Sequence, residues 1–293
     1  MKENTLWSVI AHTVLMVFAI ICILPFVLLF ISSISSEVSI TRNGYTFFPS
    51  ALSAGAYEYL QLQSYQILHA YGVTVLVTVV GTTVGLLITS LVAYGLARKA
   101  LPFRGFFAFL VFFTLLFNGG LVPTYWIYTQ VFHIKNTIWA LIVPGLLMNG
   151  FNVLLMRSFF VTSIPEDILD AARIDGASEF QIYWSIVMPM STPILATIGL
   201  FMAIAYWNDW FNGLIYLTDP KYFSLQNLLN RILANVQFLQ TSDLASRAAA
   251  GMNIPLTSVR MAMAVIAVVP ILVLYPFFQK YFARGITLGG VKG

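Results

Sequence analysis

Acidic side chains are scarce in this chain, and a large share of them falls in one short stretch. The 293 residues include only eleven Asp and Glu. Five of them lie between positions 163 and 180, namely Glu166, Asp167, Asp170, Asp175 and Glu179. Carboxylates clustered in this way can dock against a basic groove, where charge complementarity sets the register and the choice of partner.

The same stretch carries the sequence marks of two short helices joined by a bend. Ser163 with Glu166 fits the S-x-x-E capping box, and Ser178 with Gln181 repeats the box as S-x-x-Q. Gly176 lies between the two boxes and can end the first helix with a positive φ. Both helices are too short and too charged to cross a bilayer, so we expect a membrane-flanking loop with a defined shape.

Two small residues stand among these acids. Ala171 and Ala172 would let a partner surface approach closely while the flanking carboxylates meet its basic groups. The alternative is a solvated loop helix whose acids only balance the nearby Arg157 and Arg173.

The sequence offers no arrangement for catalysis, metal binding or nucleotide binding. The three histidines are isolated, no His, Cys and carboxylate set has metal-ligand spacing, and no G-x-S-x-G elbow occurs. No Gly-Lys dipeptide is present, so a Walker A loop is excluded. The net charge of +4 comes from scattered basic residues, which is not a nucleic-acid-binding pattern. We therefore expect no cofactor on this chain and an energy source on a partner.

Composition predicts an all-α polytopic membrane protein. Hydrophobic residues make up 59% of the chain and charged residues only 9%, whereas soluble domains are about one quarter charged. The apolar runs do not alternate as barrel strands would. Six runs are long enough to span a bilayer as helices within a single domain, 1–293. They are 9–31, 71–97, 106–128, 137–159, 191–217 and 259–279.

The distribution of Lys and Arg predicts the orientation of these spans. One side of the membrane would hold Lys2, Arg98, Lys99, Arg104, Arg157, Arg173, Lys280, Arg284 and Lys292. The other would hold Arg42, Lys135, Lys221, Arg231, Arg247 and Arg260. Because Lys and Arg favour the cytoplasmic side, we expect both termini and the acidic stretch to be cytoplasmic.

Polar residues and helix breakers interrupt the third and fourth predicted spans. Asn118 precedes two glycines, and Asn149 and Asn152 follow Pro144-Gly145. Breaks of this kind are tolerated where protein or water satisfies the freed backbone groups, which indicates a water-accessible interior. Asn149 and Asn152 lie on one helix face and could line it. They could equally hydrogen-bond to adjacent helices.

The fifth predicted span contains a polar and aromatic run, Trp207-Asn208-Asp209-Trp210-Phe211-Asn212. Ionisable groups within membranes are costly and commonly functional. Asn208, Asp209 and Asn212 with two indoles could therefore form a sugar-binding surface. Alternatively, the run anchors the outer membrane interface, where Trp is favoured.

The acidic stretch resembles a known motif. Asp170-Ala171-Ala172-x-x-Asp175-Gly176-Ala177, followed by Ile186-x-x-Pro189, is similar to the EAA loop of permease subunits of bacterial binding-protein-dependent ATP-binding-cassette (ABC) importers. The run MRSFF at 156–160 and the C-terminal QKYFARGITLGGVKG resemble carbohydrate permeases of the maltose-permease-like class. The stretch 258–282 is most similar to the branch that imports acidic or large oligosaccharides.

The resemblance implies a role for residues 163–190, below called the coupling loop. In this family the loop docks into a cleft of the ATP-hydrolysing subunit. By position, the coupling residues are Glu166, Asp167, Asp170, Ala171, Ala172, Asp175, Gly176, Ala177 and Pro189. Asp170 stands where the family usually has Glu, which keeps the charge but shortens the reach to a partner Arg.

The resemblance further implies a type I ABC importer fold and a non-catalytic permease in the bacterial inner membrane. Its partners would be a homologous second permease, two ABC subunits carrying ATP and Mg, a periplasmic or extracellular solute-binding protein and membrane lipid, but no nucleic acid. The substrate would be an acidic oligosaccharide such as alginate. The alternatives are a neutral oligosaccharide and an ion-coupled carrier, for which Asp209 would be the only intramembrane carboxylate.

Overall fold

A computed structural model describes residues 5–241 and 255–285 of the chain. In these residues the regular structure is helical, with one isolated bridge between Ser35 and Leu52 and no strand. Three of the basic residues used to predict the orientation, Lys2, Arg247 and Lys292, lie outside the described residues. The end of the C-terminal run that resembles the family also lies outside them. The helical architecture confirms the predicted fold class.

The described helices run in the following order. The first seven are α1 (Thr5–Ser33), α2 (Glu37–Asn43), α3 (Gly55–Gln61), α4 (Ser64–Ala97), α5 (Arg104–Leu116), α6 (Leu121–Trp126) and α7 (Trp139–Ile142). The next eight are α8 (Gly150–Ser163), α9 (Glu166–Ile174), α10 (Glu179–Ile182), α11 (Met188–Met190), α12 (Thr192–Trp207), α13 (Phe211–Tyr216), α14 (Leu225–Thr241) and α15 (Leu256–Gly285). Short π-helical segments extend α6 through Ile127–Val131 and join α10 to α11 through Tyr183–Val187.

Only some of the predicted spans are single helices. Among the described residues, three helices are long and apolar enough to cross a membrane by themselves: Trp7–Ser33, Ser64–Ala97 and Leu256–Val273. Two further candidates are bent pairs, Arg104–Leu116 with Leu121–Val131 at 113° and Glu179–Met190 with Thr192–Trp207 at 82°.

Glycines and proline account for the breaks in the third and fourth predicted spans. In the third, Gly120 adopts φ +86° between α5 and α6. The fourth stretch, 137–159, is not one helix, because α7 ends at Ile142 and α8 begins only at Gly150. Pro144 lacks a backbone N–H, and Gly145 adopts φ +72°, so the helical hydrogen-bond ladder stops there.

The chain divides into two compact units. One unit is Met1–Leu68 with Leu229–Val273. Within it, the Glu37 carboxylate accepts hydrogen bonds from the backbone N–H of Thr257 (2.9 Å) and Ser258 (3.0 Å) at the start of α15. A carboxylate at a helix N-terminus satisfies unpaired N–H groups and complements the helix dipole. This contact joins α2 to α15.

The other unit, His69–Leu228 with Leu274–Gly293, contains every predicted coupling and passage residue. Here α4 packs closely against α12 at two glycines. A Cβ on Gly81 would overlap the ring of Tyr206, and one on Gly85 would overlap Met202. Small residues allow membrane helices to approach in this way. The buried cluster around this contact continues through α8 to the coupling loop.

Candidate functional site

The coupling loop folds as two short helices around a glycine bend. Gly176 adopts φ +82° after α9, as the sequence predicts. The capping box at the start of α10 is also confirmed, since Gln181 N–H donates to Ser178 Oγ at 3.3 Å and Ser178 N–H donates to Gln181 Oε1 at 2.8 Å. The hairpin shape therefore follows from local signals.

The capping box predicted at Ser163 and Glu166 is wrong. Helix α8 continues through Ser163, and Pro165 takes the N-cap position of α9 without a side-chain cap. Glu166 pairs instead with Lys99, at 2.6 Å between Oε2 and Nζ. The capping box does not form because Ser163 belongs to the preceding helix and Glu166 is held by Lys99, a residue distant in the sequence.

One face of the loop is buried against the chain's own core. Leu169 and Ile182 are buried, together with Tyr183 from the π-helical segment. Ala172 and Ala177 pack against the same cluster, which includes residues of α4, α8 and α12. These two alanines therefore face inward. Among the predicted small docking residues, Ala171 is the exposed alanine.

A hydrogen-bonded network links this loop to the long helix α4. Arg173 donates from Nη1 to Asp170 Oδ1 (2.6 Å) and from Nε to Glu179 Oε1 (2.8 Å). Tyr94, near the end of α4, donates from Oη to Glu179 Oε2 at 2.6 Å. The hydrogen bond from Tyr94 holds the pKa of Glu179 below its ordinary value. Because arginine is always protonated in proteins, the link between Arg173 and Glu179 is ionic at physiological pH.

The remaining predicted coupling residues lie on the outer surface. Asp170 is paired within the chain with Arg173. Asp167 and Asp175 are exposed, and neither forms an ion pair with any described residue. Pro189 is exposed in α11. The free negative charge of the loop is therefore at Asp167 and Asp175.

The most exposed apolar residues of the loop are ones that sequence reasoning did not select. Ile174 is 87% exposed at the end of α9, and Phe180 is 68% exposed in α10. The Phe180 ring makes an edge contact with Trp184, at 6.1 Å between ring centroids. The sequence did carry a signal for these two residues, since large apolar side chains in a short, charged loop are candidates for contact with a partner surface.

The candidate passage residues divide into two groups. Asn118, Asp209 and Asn212 line one cavity of about 500 Å³, together with residues such as Pro144 and Tyr216. Asn212 donates from Nδ2 to Pro144 O (3.0 Å), and its N–H donates to Asp209 Oδ1 (3.1 Å). The lining contains both polar groups and two aromatic rings, those of Phe211 and Tyr216, as ligand pockets commonly do.

The other three passage candidates do not line this cavity. Asn149 caps α8 by accepting the N–H of Phe151 at 2.8 Å. Asn208 donates to the carbonyl of Ile204 at 2.9 Å, one turn back in α12. Asn152 is a residue of α8 and is not one of the residues that line this cavity. Asn149 thus caps its own helix instead of bonding to an adjacent one, and the Asn208 amide bonds back to the helix that precedes it.

Known transport proteins are similar to this chain in sequence. Residues 85–288 match the family model described as "Binding-protein-dependent transport system inner membrane component". The polygalacturonan/rhamnogalacturonan transport system permease protein YtcP of Bacillus subtilis (strain 168) is 37% identical over 291 residues, 99% of this chain and 100% of the relative. The arabinooligosaccharides transport system permease protein AraQ of Halalkalibacterium halodurans is 29% identical over 279 residues, 94% of this chain and 93% of the relative.

A solved structure also matches almost the whole chain. It is the crystal structure of a bacterial ABC transporter involved in the import of the acidic polysaccharide alginate. The matched chain has a TM-score of 0.79 and 29% sequence identity, and the match covers 96% of this chain and 98% of the other. The likeness therefore includes both the coupling loop and the cavity region.

Proposed function

Because the chain belongs to the family of binding-protein-dependent transport system inner membrane components, we propose that it is the permease subunit of an ATP-driven importer of acidic oligosaccharides. Whatever the sugar, the chain is a carbohydrate ABC importer permease with the type I fold and a multi-pass protein of the inner membrane. Like its relatives, it is a non-catalytic subunit. Such permeases work with a second permease, ATPase subunits and a binding protein.

The observation that carries the coupling role is the two-sided construction of the coupling loop. Its inner face is buried on α4, α8 and α12, while its outer face presents Ile174, Phe180 and unpaired carboxylates. Apolar anchors surrounded by charges are typical of the centre and rim of protein interfaces. We place the ATPase cleft on this face, with ATP and Mg on the ATPase subunits.

The network from Arg173 to Tyr94 provides the mechanical connection. When the ATPase subunits close, a docked loop must move, and a loop tied to α4 would carry that helix with it. Such a change is a two-state shift biased by nucleotide and substrate, not a continuous deformation. On this proposal the coupling loop and both termini are cytoplasmic.

Two comparisons bear on the substrate. The matched solved transporter imports the acidic polysaccharide alginate, whereas one relative is named for arabinooligosaccharides. The acidic class is our proposal, with a neutral oligosaccharide as the alternative. We propose the cavity at Asn118, Asp209 and Asn212 as part of this subunit's share of the passage.

Substrate-stimulated ATPase activity tests the substrate class. The complex with its binding protein, reconstituted in proteoliposomes, would be presented with uronate and neutral oligosaccharides of equal length. We expect the uronate series to raise ATP hydrolysis several-fold above the basal rate. Stimulation by the neutral series alone would replace the acidic class by the neutral one.

The same assay tests the cavity with matched asparagines. Asn118→Leu places an apolar side chain in the lining and should reduce substrate-stimulated ATPase activity by about tenfold, which corresponds to about 1.4 kcal/mol. Asn152→Leu, outside the lining, should leave the activity unchanged. Equal activity of the two variants would remove the cavity from the passage. Basal ATPase activity serves as the control for assembly.

A further inference from the structure

Two arginines converge on one backbone carbonyl at the end of α4. Arg104, the first residue of α5, donates from Nε to Leu96 O at 3.0 Å. Arg157 of α8 donates from Nε to the same oxygen at 3.1 Å. Carbonyls in the last turn of a helix have no intrahelical partner, so both side chains act as caps. The two guanidinium groups are thereby held side by side.

Neither guanidinium is neutralised by a carboxylate of the described chain. On the predicted cytoplasmic side, Lys99 pairs with Glu166, Arg173 with Asp170 and Glu179. No such pair involves Arg104 or Arg157. Each uses one of its five N–H donors on Leu96 and keeps the others. The negative end of the α4 dipole, about half a charge, offsets only part of two full positive charges.

Aromatic residues extend from this pair into the apolar face of α5. Phe103, with φ +55°, is 81% exposed, and Phe106 is 58% exposed. Arg104 is the first residue of a candidate membrane span whose following helix is apolar, so the exposed phenylalanines of α5 would face lipid and the arginine would lie at the end of the span. The pair therefore sits beside a lipid-facing surface at headgroup depth.

We propose that Arg104 and Arg157 bind the phosphate of an anionic phospholipid, whose acyl chains lie along the phenylalanine face of α5. Guanidinium groups suit phosphate because their paired N–H donors match its oxygens. Basic pockets between membrane helices on the cytoplasmic side bind anionic headgroups in this way. A zwitterionic headgroup is disfavoured, because its own cation would lie close to two arginines. The inference rests on the proposed function only for the side of the membrane.

A carboxylate of the docked ATPase subunit is the competing occupant. Exposed phenylalanines continue along α5 at Phe106, Phe109 and Phe113, in a helix that belongs to a candidate membrane span, so they face acyl chains rather than a subunit docked from the aqueous side. Binding of such a carboxylate would also give a different result in the experiment described next.

Lipid retention by the assembled importer tests the proposal. The complex would be delipidated in detergent, exposed to an equimolar mixture of phosphatidylglycerol and phosphatidylcholine, and its bound lipid measured by mass spectrometry. The wild type should retain phosphatidylglycerol over phosphatidylcholine by about tenfold or more, and the Arg104→Gln/Arg157→Gln variant should lose that preference. Arg42→Gln, an exposed arginine on the other predicted side, is the matched control and should behave as wild type.

Three results would overturn the proposal. They are absence of a preference in the wild type, full retention by the double variant, and loss of the ATPase subunit by a double variant that still holds phosphatidylglycerol. The last would assign the pair to the ATPase interface. If the double variant does not assemble, a salt titration of the wild type decides, because retention through an ion pair must fall with ionic strength. The readout is independent of transport, so its failure leaves the proposed function standing.

Discussion

Ile174→Asp is expected to abolish ATP-dependent uptake by detaching the permease from its ATPase subunit. Ile174 is 87% exposed in the free chain, and burial of an isoleucine in a partner cleft contributes about 2–3 kcal/mol. Its loss alone corresponds to roughly 30- to 140-fold weaker association, and a buried aspartate adds a desolvation cost. Co-purification of the ATPase subunit and its binding affinity measure the effect.

The matched control for this variant is Leu62→Asp. Leu62 is 85% exposed and lies between the first two predicted spans, on the side of the membrane predicted to be opposite the coupling loop, so the same substitution there should leave ATPase binding unchanged. Phe180→Ala should weaken binding in the same direction as Ile174→Asp, because this ring is also exposed in the coupling loop, at 68%. Wild-type affinity of Ile174→Asp would show that the ATPase does not bury this side chain.

Glu179→Gln should leave the ATPase bound and yet impair transport. The amide nearly preserves the shape of the side chain but removes the charge that Arg173 and Tyr94 both contact. Charge-assisted hydrogen bonds are about twice as strong as neutral ones, although the 55% exposure of Glu179 reduces this difference through solvent screening. We expect substrate-stimulated ATPase activity to fall by about tenfold.

Two further variants make this prediction specific. Glu58→Gln makes the same substitution at an exposed carboxylate outside the coupling loop that has no ion pair in the described chain, and it should retain wild-type activity. Tyr94→Phe should reproduce the Glu179→Gln defect. The double variant should then be little worse than either single variant, since both remove one link. Additive losses, or loss of ATPase binding by Glu179→Gln, would contradict transmission through this network.

The two main predictions separate docking from transmission. An outer-face variant such as Ile174→Asp should lose association, and activity follows from that loss. An inner-face variant such as Glu179→Gln should keep association but weaken the connection to α4. A loop that only balanced nearby arginines would show neither effect.

Features governed by neighbouring residues could be read from the sequence. Gly176 ends α9 with positive φ because it lacks a Cβ, and Ser178 with Gln181 caps α10 through groups three residues apart. The apolar runs likewise predicted an all-α membrane protein, since the bilayer requires backbone groups to be satisfied within the helix. The acidic motif also led to the family that the comparisons confirm.

Contacts between residues that are far apart in the sequence could be learned only from the tertiary structure. Ser163 and Glu166 match a capping box in sequence, yet Ser163 lies within α8 and Glu166 forms an ion pair with Lys99. Tyr94 and Glu179 are 85 positions apart, so no local pattern could predict their hydrogen bond.

The passage and coupling residues show the same division. Six polar candidates were visible in the sequence, but only tertiary packing brings Asn118, Asp209 and Asn212 to one cavity. Sequence spacing predicted the coupling loop and its acidic residues. Which alanine faces outward, which acid is already paired and which apolar residues stand exposed depend on how the loop packs against α4 and α8, because burial is a property of the folded surface.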